Sequence, residues 1–237
     1  MPNASLHSDP TEIFLKSWQV YQEIIGHNYM FHREISAATR TEIERVEPAK
    51  PLRLIDLGCG DASMALPLLN PDRIALYQGC DLSQPALDIA RRQLTDRHIP
   101  HRVVCDDMRT FIAEQPDASA DVIIASYALH HLNATDKQQL IRDVIRTLEP
   151  GGKFLLIDIF REPSEDRASY IKHYMAAVRN TWHALNPESQ SLVIDHATEF
   201  DFPEDADFYQ SLWQKAGFIP GQQIAKHTWH QAWSFLR

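Results

Sequence analysis

The segment Leu54-Ile55-Asp56-Leu57-Gly58-Cys59-Gly60-Asp61-Ala62-Ser63-Met64-Ala65 passes from an apolar run through an acid into two closely spaced glycines. Such a run ending in Gly-x-Gly reads as a strand turning sharply into the next element. The glycines remove side chains, so a ligand can lie against the backbone. The chain has only eight glycines, so two within three positions single this turn out. The residues after Gly60 predict a helix from about Ala62 to Leu69, whose free N–H groups would add a partial positive end.

Outward from this turn the pattern alternates. Strands are predicted at Arg53–Leu57, Ile74–Cys80, His101–Cys105, Asp121–Ser126 and Lys153–Ile159. Helices are predicted at Gln84–Asp96 and Thr135–Leu148, the latter stopped by Glu149-Pro150-Gly151-Gly152. Strands separated by helices imply βαβ units and a mostly parallel α/β sheet. Two helices precede it. The first is capped at Asp9-Pro10-Thr11-Glu12 and carries Ile13, Phe14, Trp18, Tyr21, Ile24 and Ile25 at helical spacing. The second runs from about Asn28 to Val46 and ends before Pro48. Beyond the fifth strand, Phe160 to Pro203 is helical and rich in aromatics and histidines, which predicts an inserted cap. A helix over Asp205–Ala216 and an antiparallel hairpin over 218–226 and 230–236 close the chain. The expected organisation is one domain, 1–237: N-terminal helices over 1–48, a ligand-binding core over 49–159, the cap over 160–203, and the terminal helix and hairpin over 204–237.

The 237 residues carry a net charge of −9 and no basic block, which argues against a nucleic-acid partner. No apolar run approaches a membrane span, and MPNASLHSDP at the start is polar, so a cytoplasmic protein without a membrane partner is expected. Three cysteines without a CxxC pair indicate neither a disulfide framework nor a zinc ribbon. Cys59, Cys80 and Cys105 each fall near a strand end and read as small buried packing residues. No H-x-x-x-H spacing joins His32, His173 or His196, and no metal is expected.

Acids define the ligand of the glycine turn. A dinucleotide site would need G-x-G-x-x-G, but Ser63 stands at the third glycine, and Asp56 and Asp61 flank the turn. Carboxylates are poor neighbours for a pyrophosphate and suit a cationic ligand without phosphate, such as S-adenosylmethionine. A nicotinamide-dependent oxidoreductase is disfavoured on the same grounds. Asp81 ends the second strand 21 residues after Gly60, a spacing suited to ribose hydroxyls. Asp107 follows the third strand and can accept from an adenine amino group, with Met108 beside the ring.

With these residues in view, the chain resembles the class I S-adenosylmethionine-dependent methyltransferases of the Rossmann-like type. The resemblance rests on Leu54–Gly60, Gly79-Cys80-Asp81-Leu82-Ser83, Cys105-Asp106-Asp107-Met108, Ala125 to Leu132, Leu148 to Gly152, and Ala216-Gly217-Phe218. It implies a seven-stranded sheet with an antiparallel terminal strand. It also implies that Gly58, Cys59 and Gly60 line the methionine moiety and that Asp56 helps hold its ammonium. Asp81 would bind the ribose, Leu82, Asp107 and Met108 the adenine, and Ser126 and Tyr127 would lie between cofactor and acceptor.

The methyl acceptor is read from the segment after the fourth strand and from the cap. Ser126-Tyr127-Ala128-Leu129 replaces the acid-or-amide, Pro-Pro, aromatic pattern of nucleobase amino methylation, which points to a small molecule. The expected reaction is methyl transfer to an oxygen or nitrogen atom. The alternative is a non-catalytic S-adenosylmethionine-binding protein or regulatory subunit. His130 and His131 are the candidate bases. Tyr21, Tyr29, His32, Tyr170, His173, Tyr174 and Trp182 are the candidate acceptor pocket. The acidic cluster Asp201, Glu204, Asp205 and Asp207 reads as a solvated helix start, or, where it rims the pocket, as favouring a cationic acceptor.

Overall fold

A computed structural model of the chain describes residues 19–46, 50–163 and 165–237. The predicted cap at Asp9, the apolar residues Ile13, Phe14 and Trp18, and Pro48 lie outside the described residues. The described part of α1 is 19–26, followed by α2 (His32–Glu44). The core then runs β1 (Leu52–Leu57), β2 (Ile74–Asp81), α3 (Gln84–Asp96), β3 (His101–Cys105), α4 (Met108–Ala113), β4 (Ala120–Ser126), α5 (Ala134–Thr147) and β5 (Leu148–Ile159). The cap is α6 (Arg167–Thr181) and α7 (Pro187–Phe200). The chain closes with α8 (Ala206–Lys215), β6 (Gln222–His227) and β7 (His230–Leu236).

The strands form one seven-stranded sheet in the order β3-β2-β1-β4-β5-β7-β6. β1 to β5 pair in parallel, and β7 runs antiparallel to both β5 and β6. β1 therefore has β2 on one side and β4 on the other. The winding reverses between β1 and β4, and a crevice opens at their carboxyl ends.

Both faces of the sheet are covered, which explains why its central strands are apolar without alternation. Leu54, Val122 and Ile124 pack on one face with Tyr77, Leu87 and Leu94. Ile55, Ile123 and Ala125 pack on the other with Phe154, Trp213 and Phe235. A third cluster joins Val20 and Ile24 of α1 to Tyr174, Val178, Trp182 and Ile194 of the cap. The N-terminal segment thus packs with the cap and shares its core.

The helix expected over Ala62–Leu69 does not form. Turns and a single 3-10 turn, Leu66–Leu68, replace it. Pro67 lacks an N–H for a helix interior, Asn70-Pro71 follow at once, and Ala62 sits in the left-handed region at φ 64°. The segment still buries Ala62, Ala65, Leu66 and Leu68. A helix that was not expected, α4, starts at Met108 because the Asp107 side chain accepts from the Arg109 N–H.

Phe154 is fully buried on β5 and stacks with Trp213 and Phe235, at centroid distances of 6.2 and 6.0 Å. Phe154→Ala leaves a cavity between the sheet and α8. It should lower the unfolding free energy by about 3–5 kcal/mol, read as a lower urea midpoint.

Candidate active site

The turn after β1 is built for close approach. Gly58 and Gly60 adopt φ of 70° and 52°. A Cβ on Gly58 would lie 2.6 Å from the Ala128 Cβ, whereas one on Gly60 would meet nothing within 4 Å. The turn is tied to β2 by two hydrogen bonds, and a third joins the end of β2 to the start of α3. The Cys59 N–H donates to the Cys80 carbonyl at 2.9 Å, the Gly60 N–H to Asp81 Oδ2 at 2.9 Å, and the Ser83 N–H to Asp81 Oδ1 at 2.8 Å. Asp81 thereby fastens both the glycine turn and the start of α3.

A cavity of about 170 Å³ opens over this turn, with Asp56, Asp61, Asp81, Gly60, Ser126 and Tyr127 in its wall. Among the described residues, no lysine or arginine lines it. The missing helix after Gly60 also removes the dipole that would have drawn an anion here. Asp56 is almost completely buried, and its Oδ2 accepts from the Tyr77 hydroxyl at 2.6 Å. Its Oδ1 and the Ser126 hydroxyl, both buried, have no partner among the described residues. Burial lifts the Asp56 carboxyl to about 7, opposed by the Tyr77 hydrogen bond and reinforced by the Asp81 charge. A cavity with three carboxylates, one of them half-satisfied, calls for a cation with hydrogen-bond donors.

A larger cavity of about 450 Å³ adjoins it, and Tyr21, Asp81 and Tyr127 line both. Its walls are mostly apolar, from Val20, Ile24, Met30, Ile159 and Leu192. Its polar end is made by His130, His131, His196 and Asp201. His130 Nδ1 is hydrogen-bonded to Asp158 Oδ1, and the His130 N–H donates to Asp158 Oδ2 at 3.0 Å. Nε2 of the same ring stands 3.6 Å from Asp201 Oδ1, as does His131 Nδ1, with His196 Nε2 at 4.0 Å. Burial opposes charge on His130, but Asp158 and then Asp201 outweigh it and hold the imidazole above its ordinary value. Desolvation, then the neighbouring His130 and His196, hold His131 below it. Burial raises the Asp201 carboxyl against the pull of His130 and His196.

Tyr127 stands between the cavities in a strained left-handed conformation, φ 49°. Its N–H donates to the Ile157 carbonyl and its hydroxyl to the Met30 carbonyl, both at 2.7 Å.

Of the residues expected at the cofactor, Asp56, Gly58, Cys59, Gly60, Asp81, Ser126 and Tyr127 line the smaller cavity. Leu82 is exposed outside it, and Met108 Cε lies 3.5 Å from where a Gly58 Cβ would be. Asp107 faces Arg109 with both carboxylate oxygens, at 2.9 and 2.8 Å. Of the expected acceptor pocket, Tyr21, Tyr174 and Trp182 line the larger cavity. The others stand outside its wall. Tyr29 stacks on Trp182 at 5.0 Å, and Tyr170 on Tyr174 at 5.4 Å. His32 packs on Tyr127 at 5.1 Å, and burial lowers it to about 4. His173 is exposed and pairs with Glu165 at 2.6 Å.

The acidic cluster divides. Asp205 caps α8 and Glu204 pairs with Arg161 at 2.9 Å, but Asp201 is 3% exposed and faces the histidines. The solvated reading is therefore corrected for Asp201. It is drawn in because the Phe202 N–H donates to the His130 carbonyl at 2.7 Å and Lys137 Nζ donates to the Phe202 carbonyl. Sequence reasoning also missed Asp158 and Leu192. An acid inside the apolar run Phe154–Ile159 was the available signal for Asp158.

A methyltransferase-domain family model matches residues 54–152. The chain is 29% identical over 152 residues to the 27-O-demethylrifamycin SV methyltransferase of Amycolatopsis mediterranei, covering 62% of this chain and 55% of that protein. It thus spans just over half of that relative's length. It is 30% identical over 189 residues to a ubiquinone/menaquinone biosynthesis C-methyltransferase of Shewanella sediminis, covering 79% of this chain and 68% of that one. The S-adenosylmethionine-dependent methyltransferase SibL shares the fold, with a TM-score of 0.62 and 18% identity over all of this chain and 63% of that one.

The two glycines of the turn should respond differently to substitution. Gly58→Ala meets both a positive φ and a clash, and should cost about 3 kcal/mol or more of stability. Gly60→Ala has open space and should cost about 1 kcal/mol. Urea unfolding of the two variants checks the difference.

Proposed function

The chain belongs to the class I S-adenosylmethionine-dependent methyltransferases, and from that premise we propose that it methylates an oxygen or nitrogen atom of a small-molecule acceptor. The observation that carries this reading is the junction of the two cavities at Tyr21, Asp81 and Tyr127. One side is small and acid-lined, and the other is large and apolar with a polar end.

The residues of the smaller cavity fit the cofactor. Gly60 has room above it, and Asp56 Oδ1 and the Ser126 hydroxyl lack partners among the described residues. When bound, S-adenosylmethionine supplies a methyl carbon made electrophilic by a sulfonium. Gly58, Cys59 and Gly60 take the methionine end, with Asp56 on the ammonium. Asp81 has lone pairs left after its two backbone contacts and takes the ribose hydroxyls. Leu82, exposed beside it, offers an apolar face to the adenine, with Met108 and Asp107 beyond.

The apolar walls of the larger cavity exclude water and orient the acceptor, so that alignment does most of the catalytic work. The acceptor's heteroatom docks at the His130, His131 and Asp201 end, where its proton is taken up. Asp158 holds the His130 ring in place through Nδ1. Among the described residues, neither lining holds a lysine or arginine, and this and the net charge of −9 support an acceptor other than nucleic acid. Three free cysteines fit a reducing cytoplasm. Among the described residues, no helix is long and apolar enough to cross a membrane.

Labelled S-adenosylmethionine offered with a panel of phenols, alcohols, carboxylic acids and amines should label at least one of them. Intact cofactor binding with no transfer to any would sink the reading. Binding should also depend on pH. The Asp56 carboxyl, lifted to about 7, is neutral below that pH and ionised above it, and the ammonium needs the ionised form. Affinity for S-adenosylhomocysteine should be full above pH 7 and fall by up to about tenfold per unit below it. Calorimetry should find this slope absent in Asp56→Asn. Asp81→Ala should weaken the same binding by about 1–3 kcal/mol.

A further inference from the structure

We propose that the polar end of the larger cavity is a divalent transition-metal site, held by His130, His131 and Asp201 with His196 as a fourth donor. The candidate ligand atoms of the first three lie within 4.8 Å of one another. Asp201 Oδ1 is the common point. Its residue is 97% buried, and it has no hydrogen-bond partner among the described residues. Three imidazole nitrogens surround it at 3.6, 3.6 and 4.0 Å, beyond hydrogen-bond reach. In a tetrahedron with bonds of about 2.0 Å, neighbouring donors stand about 3.3 Å apart, so the cradle is slightly wider than an occupied one. His131 and His196 are each partly exposed, and His131 Nδ1 also lies 3.3 Å from the Phe200 carbonyl, a contact that metal binding would replace.

The surroundings match those of a metal centre. Asp158 takes His130 Nδ1, which leaves Nε2 on the Asp201 side. A carboxylate behind a ligating imidazole fixes its tautomer and raises its basicity. The donors come from two short pieces of chain. His130 and His131 lie in the 3-10 turn after β4, His196 is on α7, and Asp201 is the C-terminal cap of that helix. The backbone at 202 is pinned to His130, so the pieces are held in register. One carboxylate among imidazoles favours zinc and its neighbours in the first transition row over magnesium or calcium.

Resting on the methyl-transfer reading, the ion would hold the acceptor by an oxygen or nitrogen lone pair, either as a fifth ligand or in place of the more exposed His196, and the acidified acceptor would lose its proton to water, not to the ligating histidines. The site itself is tested without acceptor or cofactor. Metal-free full-length protein is titrated with Zn2+ by calorimetry and with Co2+ by visible absorption. One ion per chain should bind, with a Co2+ spectrum of low coordination number. His131→Ala, Asp201→Asn and Asp158→Asn should each weaken binding by about 10–100-fold, while His173→Ala leaves it unchanged. Far-ultraviolet circular dichroism and S-adenosylhomocysteine binding confirm that the variants are folded. His196→Ala, at a partly exposed position, gives a smaller loss and guards against misfolding of the buried variants. No saturable Zn2+ binding, or equal binding by wild type, His131→Ala and Asp201→Asn, overturns the site. Methyl transfer that persists after chelation, with no Zn2+ bound, would overturn the metal and leave the methyltransferase reading standing.

Discussion

A carboxylate removed from water must be met by donors, and much of this molecule's organisation depends on how completely each buried acid is met. Asp121, at the amino end of β4, receives Lys50 Nζ at 2.8 Å, the Arg53 N–H at 2.8 Å and the Arg53 guanidinium. Asp158, on β5, receives the His130 N–H and ring and the Ile159 N–H. Asp56, at the carboxyl end of β1, is met on one oxygen only. Asp201 presents an oxygen to three imidazoles without a hydrogen bond to any. The satisfied acids stabilise the frame, and the half-satisfied ones stand where a ligand belongs. The same sheet serves both ends because parallel strands bring their carboxyl termini to one edge.

The two cavities divide the chemistry. The smaller is shaped by residues within 54–152, the span matched by the family model, together with Tyr21. The larger takes most of its wall from outside that span, from α1, Met30, α6 and α7. Tyr127 is the partition. It is strained at its own backbone and tied at both ends, to Ile157 through its N–H and to Met30 through its hydroxyl.

The core was legible in the sequence because its information is local. Strand apolarity, the Asp56 to Gly60 turn, and the acid Asp81 that ends the second strand are each written in adjacent residues. Where local signals competed, the reading failed. Ala62–Leu69 has helical composition, but Pro67 and the left-handed Ala62 decide its conformation. The cap was legible as helix but not as a surface. Seven aromatic and histidine residues look equivalent in one dimension, yet only Tyr21, Tyr174 and Trp182 reach the cavity. Tyr29, His32 and Tyr170 pack behind them and His173 is exposed, and nothing in the spacing separates these positions. Asp201 was hidden for a related reason. Its role depends on a backbone contact to His130, and an acid beside Glu204 and Asp205 reads as solvated until that contact is known.

The packing of α1 against the cap has a consequence for synthesis. The Ala184 N–H donates to the Tyr29 hydroxyl across 155 residues of chain, and Val20 and Ile24 share a core with Tyr174 and Ile194. At about 5–20 residues per second, the first helix waits on the order of ten to thirty seconds before its partners emerge. Strands β1 to β4 and the glycine turn can assemble in that interval. The larger cavity closes only when the newest part of the chain meets the oldest. A ribosome-bound chain of this protein can therefore complete the smaller cavity except for Tyr21 while still exposing Val20 and Ile24 of its first helix, the surface a chaperone would have to shield.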